Sequence, residues 1–216
     1  MGLNQLKQYL EYLNLSGVED VYISKRQLPD PAIRLAELEE AFRNCTKCEL
    51  HQERDKFVYG EGNPQARMVL IGEGPGAEEN ATGKPFIGKA GQLLTKMLQA
   101  INIERDDVYI TNVVKCRPPN NRNPLSSEVQ SCLPYLDEQL EIISPQLLLL
   151  LGRVAAESLL ELDQPLKSYR GQTHEYKGIT TYVTYHPSAL LRNPAWKKFA
   201  WVDLQKVRDH YQQLDV

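Results

Sequence analysis

The sequence predicts an α/β fold: a three-layer αβα sandwich around a central, mostly parallel sheet of four strands. Two observations carry this prediction. Four apolar runs have the length of strands and mostly lack polar alternation, as expected of strands buried on both faces. Helical patterns separate these runs, and a β-α-β-α order places successive strands parallel with helices on both sides. The four runs are RMVLIG at 67–72, DVYITNVV at 107–114, QLLLLLG at 146–152 and ITTYVTY at 179–185.

The helices are predicted from apolar residues at helical spacing. Those between the strands cover about 88–101, 126–143 and 153–161, and a closing helix covers about 195–213. An earlier helix is predicted to begin at Asp30-Pro31, because Asp is a preferred N-cap residue and Pro is favoured in the first helical turn.

The chain is expected to have an N-terminal helical extension, 1–30, and one main domain, 31–216. Leucines at positions 3, 6, 10 and 13 predict a short amphipathic helix over 3–15, and we interpret it as a packing or docking appendage. The absence of a membrane-length apolar stretch and of a signal-peptide pattern predicts a soluble, cytoplasmic protein.

The net charge limits how the chain can bind nucleic acid. The formal net charge is −3, so a nucleic-acid partner must be held by a local basic surface and not by the chain as a whole.

The four cysteines are expected in a reducing compartment, where metal ligation is favoured over disulfides. Their order is Cys45-x2-Cys48, then Cys116 and Cys132. Four thiolates suit zinc or a [4Fe-4S] cluster, which spacing does not separate, and four ordinary buried thiols are the alternative.

A glycine-rich loop follows the first predicted strand. GEGPGA at 72–77 fits a dinucleotide-binding fingerprint. However, Pro75 lacks an N–H donor, and the nearby Glu73, Glu78 and Glu79 would repel a pyrophosphate. We also predict that no helix begins directly behind this loop. The glycines are therefore interpreted as bringing backbone close to a different ligand, or simply as allowing a tight turn.

Polar residues follow each predicted strand and should meet at one edge of the sheet, where open α/β sheets bind ligands. Glu73-Gly74 follows the first strand, Asn112 and Lys115-Cys116 the second, Gly152-Arg153 the third, and His186-Pro187-Ser188 the fourth.

Seven segments together resemble the family 4 uracil-DNA glycosylases, the iron-sulfur branch of the uracil-DNA glycosylase superfamily. The resemblance covers roughly residues 35–212. The segments are CTKC at 45–48, GEGNP at 60–64, GEGPG at 72–76, TGKPFIGKAGQLL at 82–94, YITNVVKCRPP at 109–119, Cys132 and HPSALLRNP at 186–194. The resemblance implies an enzyme that extrudes deoxyuridine from DNA and hydrolyses its N-glycosidic bond. It also implies that Cys45, Cys48, Cys116 and Cys132 hold a [4Fe-4S] cluster, with zinc as the alternative.

The same resemblance implies roles for the residues of the pocket. Phe86 would stack beneath the uracil ring, and the amide of Asn112 would read uracil. His186 would stabilise negative charge on uracil O2, and Glu73 would orient water or stabilise the cationic sugar. Beyond the resemblance, we interpret Gly74 as bringing the backbone up to the base and Glu79 as excluding the 5-methyl group of thymine, with a solvent-facing carboxylate as the alternative for Glu79.

For DNA, we expect Ser188 to bind phosphate, Leu191 to wedge into the vacated stack and Arg192 to brace the backbone. Basic residues on the strand-end loops would supply a positive rim: Lys84, Lys89, Lys115, Arg117 and Arg122. We expect a monomer that acts on single- or double-stranded DNA, with a sliding-clamp contact as an open possibility.

Two other hypotheses remain at this point. One is a protein of the same superfamily that captures uracil-DNA covalently without turnover. That branch carries a basic insertion ending in a nucleophilic histidine, and nothing like KRRIH occurs in this chain. The other is a non-catalytic, metal-binding adaptor.

Overall fold

The computed structural model describes Tyr12, Ser16, residues 29–160 and residues 164–214. The helix predicted over 3–15 lies outside these residues except for Tyr12, so the N-terminal extension stays a prediction. In the described ranges, no helix combines the length and hydropathy that crossing a bilayer requires.

The central sheet has six strands in the described part of the chain, in the order β1-β3-β2-β4-β6-β5. The inner four are parallel, and they confirm the four predicted strands. β1 and β5 are added at the two edges as antiparallel strands. The predicted strand count was therefore too low, because strands of two and three residues are too short to show periodicity. The strands are β1 (Glu61–Gly62), β2 (Met68–Gly72), β3 (Tyr109–Asn112), β4 (Leu147–Leu151), β5 (His174–Tyr176) and β6 (Ile179–Thr184).

The helices agree with the predicted ones wherever the sequence showed a long apolar period. The helices are α1 (Pro31–Phe42), α2 (Ala77–Thr82), α3 (Lys89–Gln99), α4 (Ser126–Ile143), α5 (Arg153–Leu160), α6 (Leu166–Tyr169), α7 (Pro187–Arg192) and α8 (Lys197–Tyr211). Asp30 caps α1 as predicted, since its carboxylate accepts a 2.7 Å hydrogen bond from the backbone N–H of Ala32.

Alternating side chains of each inner strand enter two different cores. In β2, Val69 and Ile71 belong to a cluster that includes residues of α1, α4 and α5. Met68 and Leu70 belong to a second cluster with residues of α3, α7 and α8. The sheet therefore lies between two helical layers, which confirms the αβα sandwich.

One prediction about the glycine loop was wrong. Helix α2 begins at Ala77, directly behind the loop, with Gly76 as its N-cap. Its six residues, AEENAT, contain no apolar period, so periodicity could not reveal it. The turn is held instead by Glu79, whose carboxylate accepts a hydrogen bond from the Gly76 N–H at 3.1 Å.

Candidate active site

A cavity of about 330 Å³ lies at the carboxyl ends of the parallel strands. It brings together nearly all the residues that the sequence placed in the site. These lining residues are Glu73, Gly74, Glu79, Phe86, Asn112, His186, Ser188 and Arg192. Leu191 is not part of the lining; its side chain is 44% exposed on α7. Residues that follow different strands therefore lie together at one edge of the sheet, as predicted.

Phe86 and Asn112 meet at the end of β2. A Cβ atom on Gly72 would lie 2.4 Å from Asn112 Oδ1 and 2.5 Å from Phe86 Cζ, so only glycine fits between them. Phe86 has a φ of +51°, a left-handed conformation that is costly for a bulky residue. A Cβ atom on Gly91 would lie 1.8 Å from the Phe86 carbonyl oxygen, so the phenyl-bearing loop packs directly on α3. Close backbone packing thus fixes the position of the ring.

Asn112 is buried, and its Oδ1 has no hydrogen-bond partner among the described residues. A buried polar atom without a partner costs roughly 1–3 kcal/mol. Buried acceptors of this kind are rare in folded proteins and call for an explanation. Since Asn112 lines the cavity, a ligand that donates a hydrogen bond there would remove the cost.

Lys115 does not lie on the rim, and this part of the sequence-based prediction was wrong. Its side chain is fully buried, and Nζ donates to Thr111 Oγ1 at 2.6 Å, Asn112 O at 2.8 Å and Gln139 Oε1 at 2.6 Å. Burial lowers the pKa of Lys115 to about 7, and the nearby Cys132 opposes that shift. The ammonium group is an internal crosslink and is not a contact for phosphate.

His186 is held in one orientation by Ser188. Its Nδ1 accepts a 3.2 Å hydrogen bond from the Ser188 N–H and lies 2.8 Å from Ser188 Oγ. In the neutral ring the proton is therefore on Nε2, which is left as a donor. Burial lowers the pKa of His186 to about 4, Arg192 lowers it further, and Glu79 opposes the shift. The ring lies 5.5 Å from the Phe86 ring, centroid to centroid.

Glu73 follows β2 and lines the cavity. Burial raises the pKa of its carboxyl group, while the charges of Arg153 and Arg192 oppose that shift. A carboxylate in such an environment is a stronger base than an exposed one. Glu73 can therefore hold a water molecule or face a developing positive charge.

Glu79 ties two loops together. Its carboxylate accepts hydrogen bonds from the backbone N–H groups of Gly76 at 3.1 Å, Ile87 at 3.0 Å and Gly88 at 3.1 Å. Three such bonds join the glycine loop to the loop that carries Phe86. The neighbouring Asn80 is buried and pairs with Asp55.

The four cysteines lie on one side of the sheet. Cys116 and Cys132 belong to the core cluster that contains α1 and α4, and Cys45 and Cys48 pack against that cluster. Burial raises the pKa of the Cys116 thiol, Arg54 opposes the shift, and Cys48 and Cys45 add to it. Three of the sulfurs accept hydrogen bonds: Cys116 from Arg54 Nη1 at 3.3 Å, Cys45 from Tyr135 OH at 3.0 Å and Cys132 from Lys115 N at 3.3 Å.

These cysteines do not form a site for a single ion as they stand. Among the described residues, no group of three or more His, Cys, Asp or Glu side chains is placed to hold one metal ion.

Comparison with known proteins identifies the family. The model of the uracil DNA glycosylase superfamily matches residues 59–205. A type-4 uracil-DNA glycosylase of Pyrobaculum aerophilum is 45% identical over 170 residues, covering 74% of this chain and 86% of the relative. Type-4 enzymes of Archaeoglobus fulgidus and Thermotoga maritima are 42% and 43% identical, covering 76% and 78% of this chain and 86% and 90% of theirs. The chain belongs to the type-4 uracil-DNA glycosylases.

The resemblance found from the seven sequence segments is thereby confirmed. The superfamily match contains the whole lining of the cavity together with Cys116 and Cys132. Cys45 and Cys48 precede it, so the N-terminal pair lies outside the matched part of this type-4 chain.

One wall of this type-4 pocket was predicted only in part: the sequence placed Arg122 on the basic rim but gave no role to Asn121 or Asn123. Asn121, Arg122 and Asn123 line it from the Pro-rich loop that follows Cys116. Arg122 is held by two hydrogen bonds to the buried Glu128, at 2.9 and 2.7 Å. The Pro-rich loop follows Cys116 directly in the sequence, and this proximity was the available signal that the loop lies near the site. The direction in which the loop runs depends on tertiary packing, so the sequence could not show that it lines the pocket.

Proposed function

We propose that this protein is a DNA-repair enzyme that flips deoxyuridine out of DNA and hydrolyses the N-glycosidic bond, leaving uracil and an abasic site. The observation that carries the proposal is the unpaired Asn112 Oδ1, buried beside Phe86 in the cavity. An enzyme acting on a base must first extrude it into such a pocket. Three relatives at 42–45% identity are named type-4 uracil-DNA glycosylases.

The Asn112 amide reads the edge of the base. Uracil N3–H donates to Oδ1, while Nδ2 donates to uracil O4. Cytosine presents an acceptor at N3 and an amine at C4, which is the opposite pattern. Phe86 stacks on the ring. A pocket built to pair with specific polar groups rejects analogues strongly, because the wrong base leaves those groups unpaired.

Cleavage separates a uracil anion from a positively charged sugar. His186 is neutral, and its Nε2–H donates to uracil O2, where the hydrogen bond strengthens as negative charge develops. The Glu73 carboxylate faces the sugar and orients the attacking water. Water adds to the sugar carbon as the bond to uracil breaks, and the proton of that water passes to Glu73.

Glu79 and Gly74 shape the wall around the base. Gly74 packs closely on Val114, since a Cβ atom there would lie 2.7 Å from Val114 Cγ2, and it is proposed to bring the backbone up to the base. The three hydrogen bonds of Glu79 hold this wall in place, and a rigid wall excludes the 5-methyl group of thymine by steric clash.

DNA is held by the segment that follows β6. Ser188 binds a phosphate, Leu191 fills the vacated stack and Arg192 braces the backbone. The exposed side chain of Leu191 supports the wedge role. The rim retains Lys84, Lys89, Arg117 and Arg122, without Lys115.

The four cysteines are proposed to hold a [4Fe-4S] cluster, with zinc as the less favoured alternative. The fit is supported by four thiols packed on one core and by hydrogen-bond donors at three of the sulfurs. Such a cluster supplies a crosslink between the end of α1, the segment after β3 and α4. The protein is further proposed to act as a cytoplasmic monomer.

The experiment uses purified protein and an oligonucleotide with one deoxyuridine, followed by alkaline cleavage. Strand scission at the deoxyuridine is expected on single and double strands. An SDS-resistant protein–DNA adduct without scission would instead support the capture hypothesis. If neither strand scission nor an adduct is observed, the adaptor hypothesis is the one that remains.

A further inference from the structure

Two large aromatic side chains remain exposed next to the segment that carries His186. Trp196 is 37% exposed, in the short turn after α7, and Phe199 is 42% exposed, in the first turn of α8. Exposed aromatic groups that cluster often mark a binding surface. Their packing and charge decide what they bind.

The position of this surface is set by contacts with the residue that follows strand β6 and precedes His186. Trp196 stacks on Tyr185, with ring centroids 4.9 Å apart and an interplanar angle of 24°. Tyr185 directly precedes His186. The guanidinium of Arg170 lies 4.2 Å from the Tyr185 centroid and 5.7 Å from that of Phe199.

Arg170 is itself held by a buried acid. It donates to both carboxylate oxygens of Asp203, at 2.8 and 3.0 Å, and Asp203 also accepts from Thr184 Oγ1 at 2.8 Å. Because Tyr185 and Arg170 are held in fixed positions, Trp196 and Phe199 would lose little conformational entropy on binding a planar ligand.

The same surface is cationic, although the chain as a whole is acidic. Lys197 and Lys198 lie between the two aromatic residues, and both are exposed. In the part of the chain that the structure describes, neither forms an ion pair with a carboxylate. Lys198 Nζ lies 5.0 Å from the Phe199 centroid. A binding partner should therefore combine flat apolar groups with negative charge.

Unpaired nucleotides meet both requirements. Their bases stack on aromatic side chains whatever the sequence, and their phosphates pair with lysines. Bases in a duplex are already stacked on one another and cannot use such a surface. We propose that Trp196 and Phe199, with Lys197 and Lys198, form a stacking platform for unpaired nucleotides that flank the extruded deoxyuridine. The inference rests on the proposed function.

Trp201 provides a matched control on the same helix. It is 40% exposed, close to the value for Trp196. It follows Phe199 by two residues, which places it about 200° around the helix at 100° per residue. Trp201→Ala therefore removes an exposed indole from the side of α8 opposite Phe199 and leaves all four platform residues unchanged.

The first experiment compares KM for excision from single-stranded and duplex oligonucleotides of equal length. Stacking contributes roughly 1–3 kcal/mol per base, so Trp196→Ala is expected to raise the single-strand KM about tenfold more than the duplex KM. Trp196→Phe should restore most of that difference, and Trp201→Ala should leave both KM values unchanged. An equal rise on both substrates, or none on either, would overturn the platform.

A second measurement does not depend on catalysis. Fluorescence anisotropy with a dye-labelled, undamaged oligothymidylate should show about tenfold weaker binding for Trp196→Ala and unchanged binding for Trp201→Ala. If the unaltered protein excises no uracil but this binding difference is found, the proposed function fails while the platform stands. If excision is normal and binding is insensitive to Trp196, the platform fails alone, and a protein partner becomes the better occupant.

Discussion

The ammonium group of Lys115 donates a 2.8 Å hydrogen bond to the main-chain carbonyl of Asn112. The same group binds Thr111 and Gln139, and the backbone N–H of Lys115 donates to Cys132 Sγ at 3.3 Å. One buried residue therefore joins the proposed base-reading amide to the proposed cluster ligands. The geometry of the pocket depends on this interior contact as well as on its own lining.

Lys115→Met should lower the free energy of unfolding by roughly 1–3 kcal/mol, because buried acceptors lose their donor. It should also raise KM for uracil-DNA, since the segment that carries Asn112 is released. Urea denaturation and steady-state kinetics measure the two effects. Lys96→Met is the control, because Lys96 is exposed on α3, lies outside the proposed DNA-binding rim, and exposed substitutions of this kind usually change stability by no more than about 0.5 kcal/mol. Equal effects of the two substitutions would contradict the interior role.

Asn112→Asp should reduce uracil excision by about a hundredfold or more. A carboxylate cannot donate to uracil O4, and truncated or mispaired polar contacts in a buried site cost several kcal/mol. Excision is measured on matched oligonucleotides that contain uracil or cytosine. Asn102→Asp, at an exposed position, should have no effect. Unchanged selectivity in Asn112→Asp would show that another group reads the base.

The activity should show no histidine titration near neutral pH. Burial lowers the pKa of His186 to about 4, so the ring is neutral from about pH 5 upward. Activity should instead fall on the acidic side, where Glu73, whose pKa burial raises, takes up a proton. The profile of kcat against pH tests this. A loss of activity as pH rises through about 6.5 would mean that a cationic histidine is required.

The same histidine affects stability. The unfolded chain binds a proton on His186 near its ordinary pKa of about 6.5, whereas the folded chain binds it only near 4. Stability from this group is therefore complete above about pH 6.5 and decreases as pH falls toward 4. His186→Ala should remove this dependence and reduce kcat by about a hundredfold to a thousandfold. His210→Ala, outside the cavity, is the control for both measurements.

Glu79→Gln should loosen both loops that Glu79 joins. The glutamine side chain has one acceptor oxygen in place of two, and its NH₂ group would face a backbone N–H donor. We expect a lower melting temperature and increased excision of thymine relative to uracil. Glu78→Gln, next to it on the exposed side of α2, should change neither. If Glu79→Gln lowers the melting temperature but the protein still excludes thymine, Glu79 contributes to stability and not to specificity, which would contradict its proposed role in the wall.

Cys132→Ser should abolish the visible absorption of the purified protein and reduce iron below the expected content of about four per chain. Unfolding should also begin at a lower temperature, because the link between α4 and the segment after β3 is lost. Iron analysis and absorption spectra are the measurements. A colourless wild-type protein with one bound zinc would contradict the cluster.

Much of this fold follows from the sequence, because long buried strands and amphipathic helices carry their own periodicity. Runs such as Leu147–Leu151 and the helix Ser126–Ile143 were predicted nearly to the residue. Helix α2 and the edge strands were missed, since a few residues show no period. Lys115 was misplaced for a different reason: a lysine after a strand usually faces solvent, and only the tertiary position of Gln139 provides it with an internal partner.

The unpaired oxygen of Asn112 and the left-handed backbone of Phe86 exist in the protein before any DNA arrives. The cost of the unpaired oxygen is carried by the free protein and, under the proposed base reading, would be relieved by a uracil N3–H donor. On the proposed base reading, the pocket would retain its affinity for the base after the bond to the sugar is cut. We therefore expect free uracil to compete with uracil-DNA for the pocket, so that its departure would be a distinct step of each catalytic cycle.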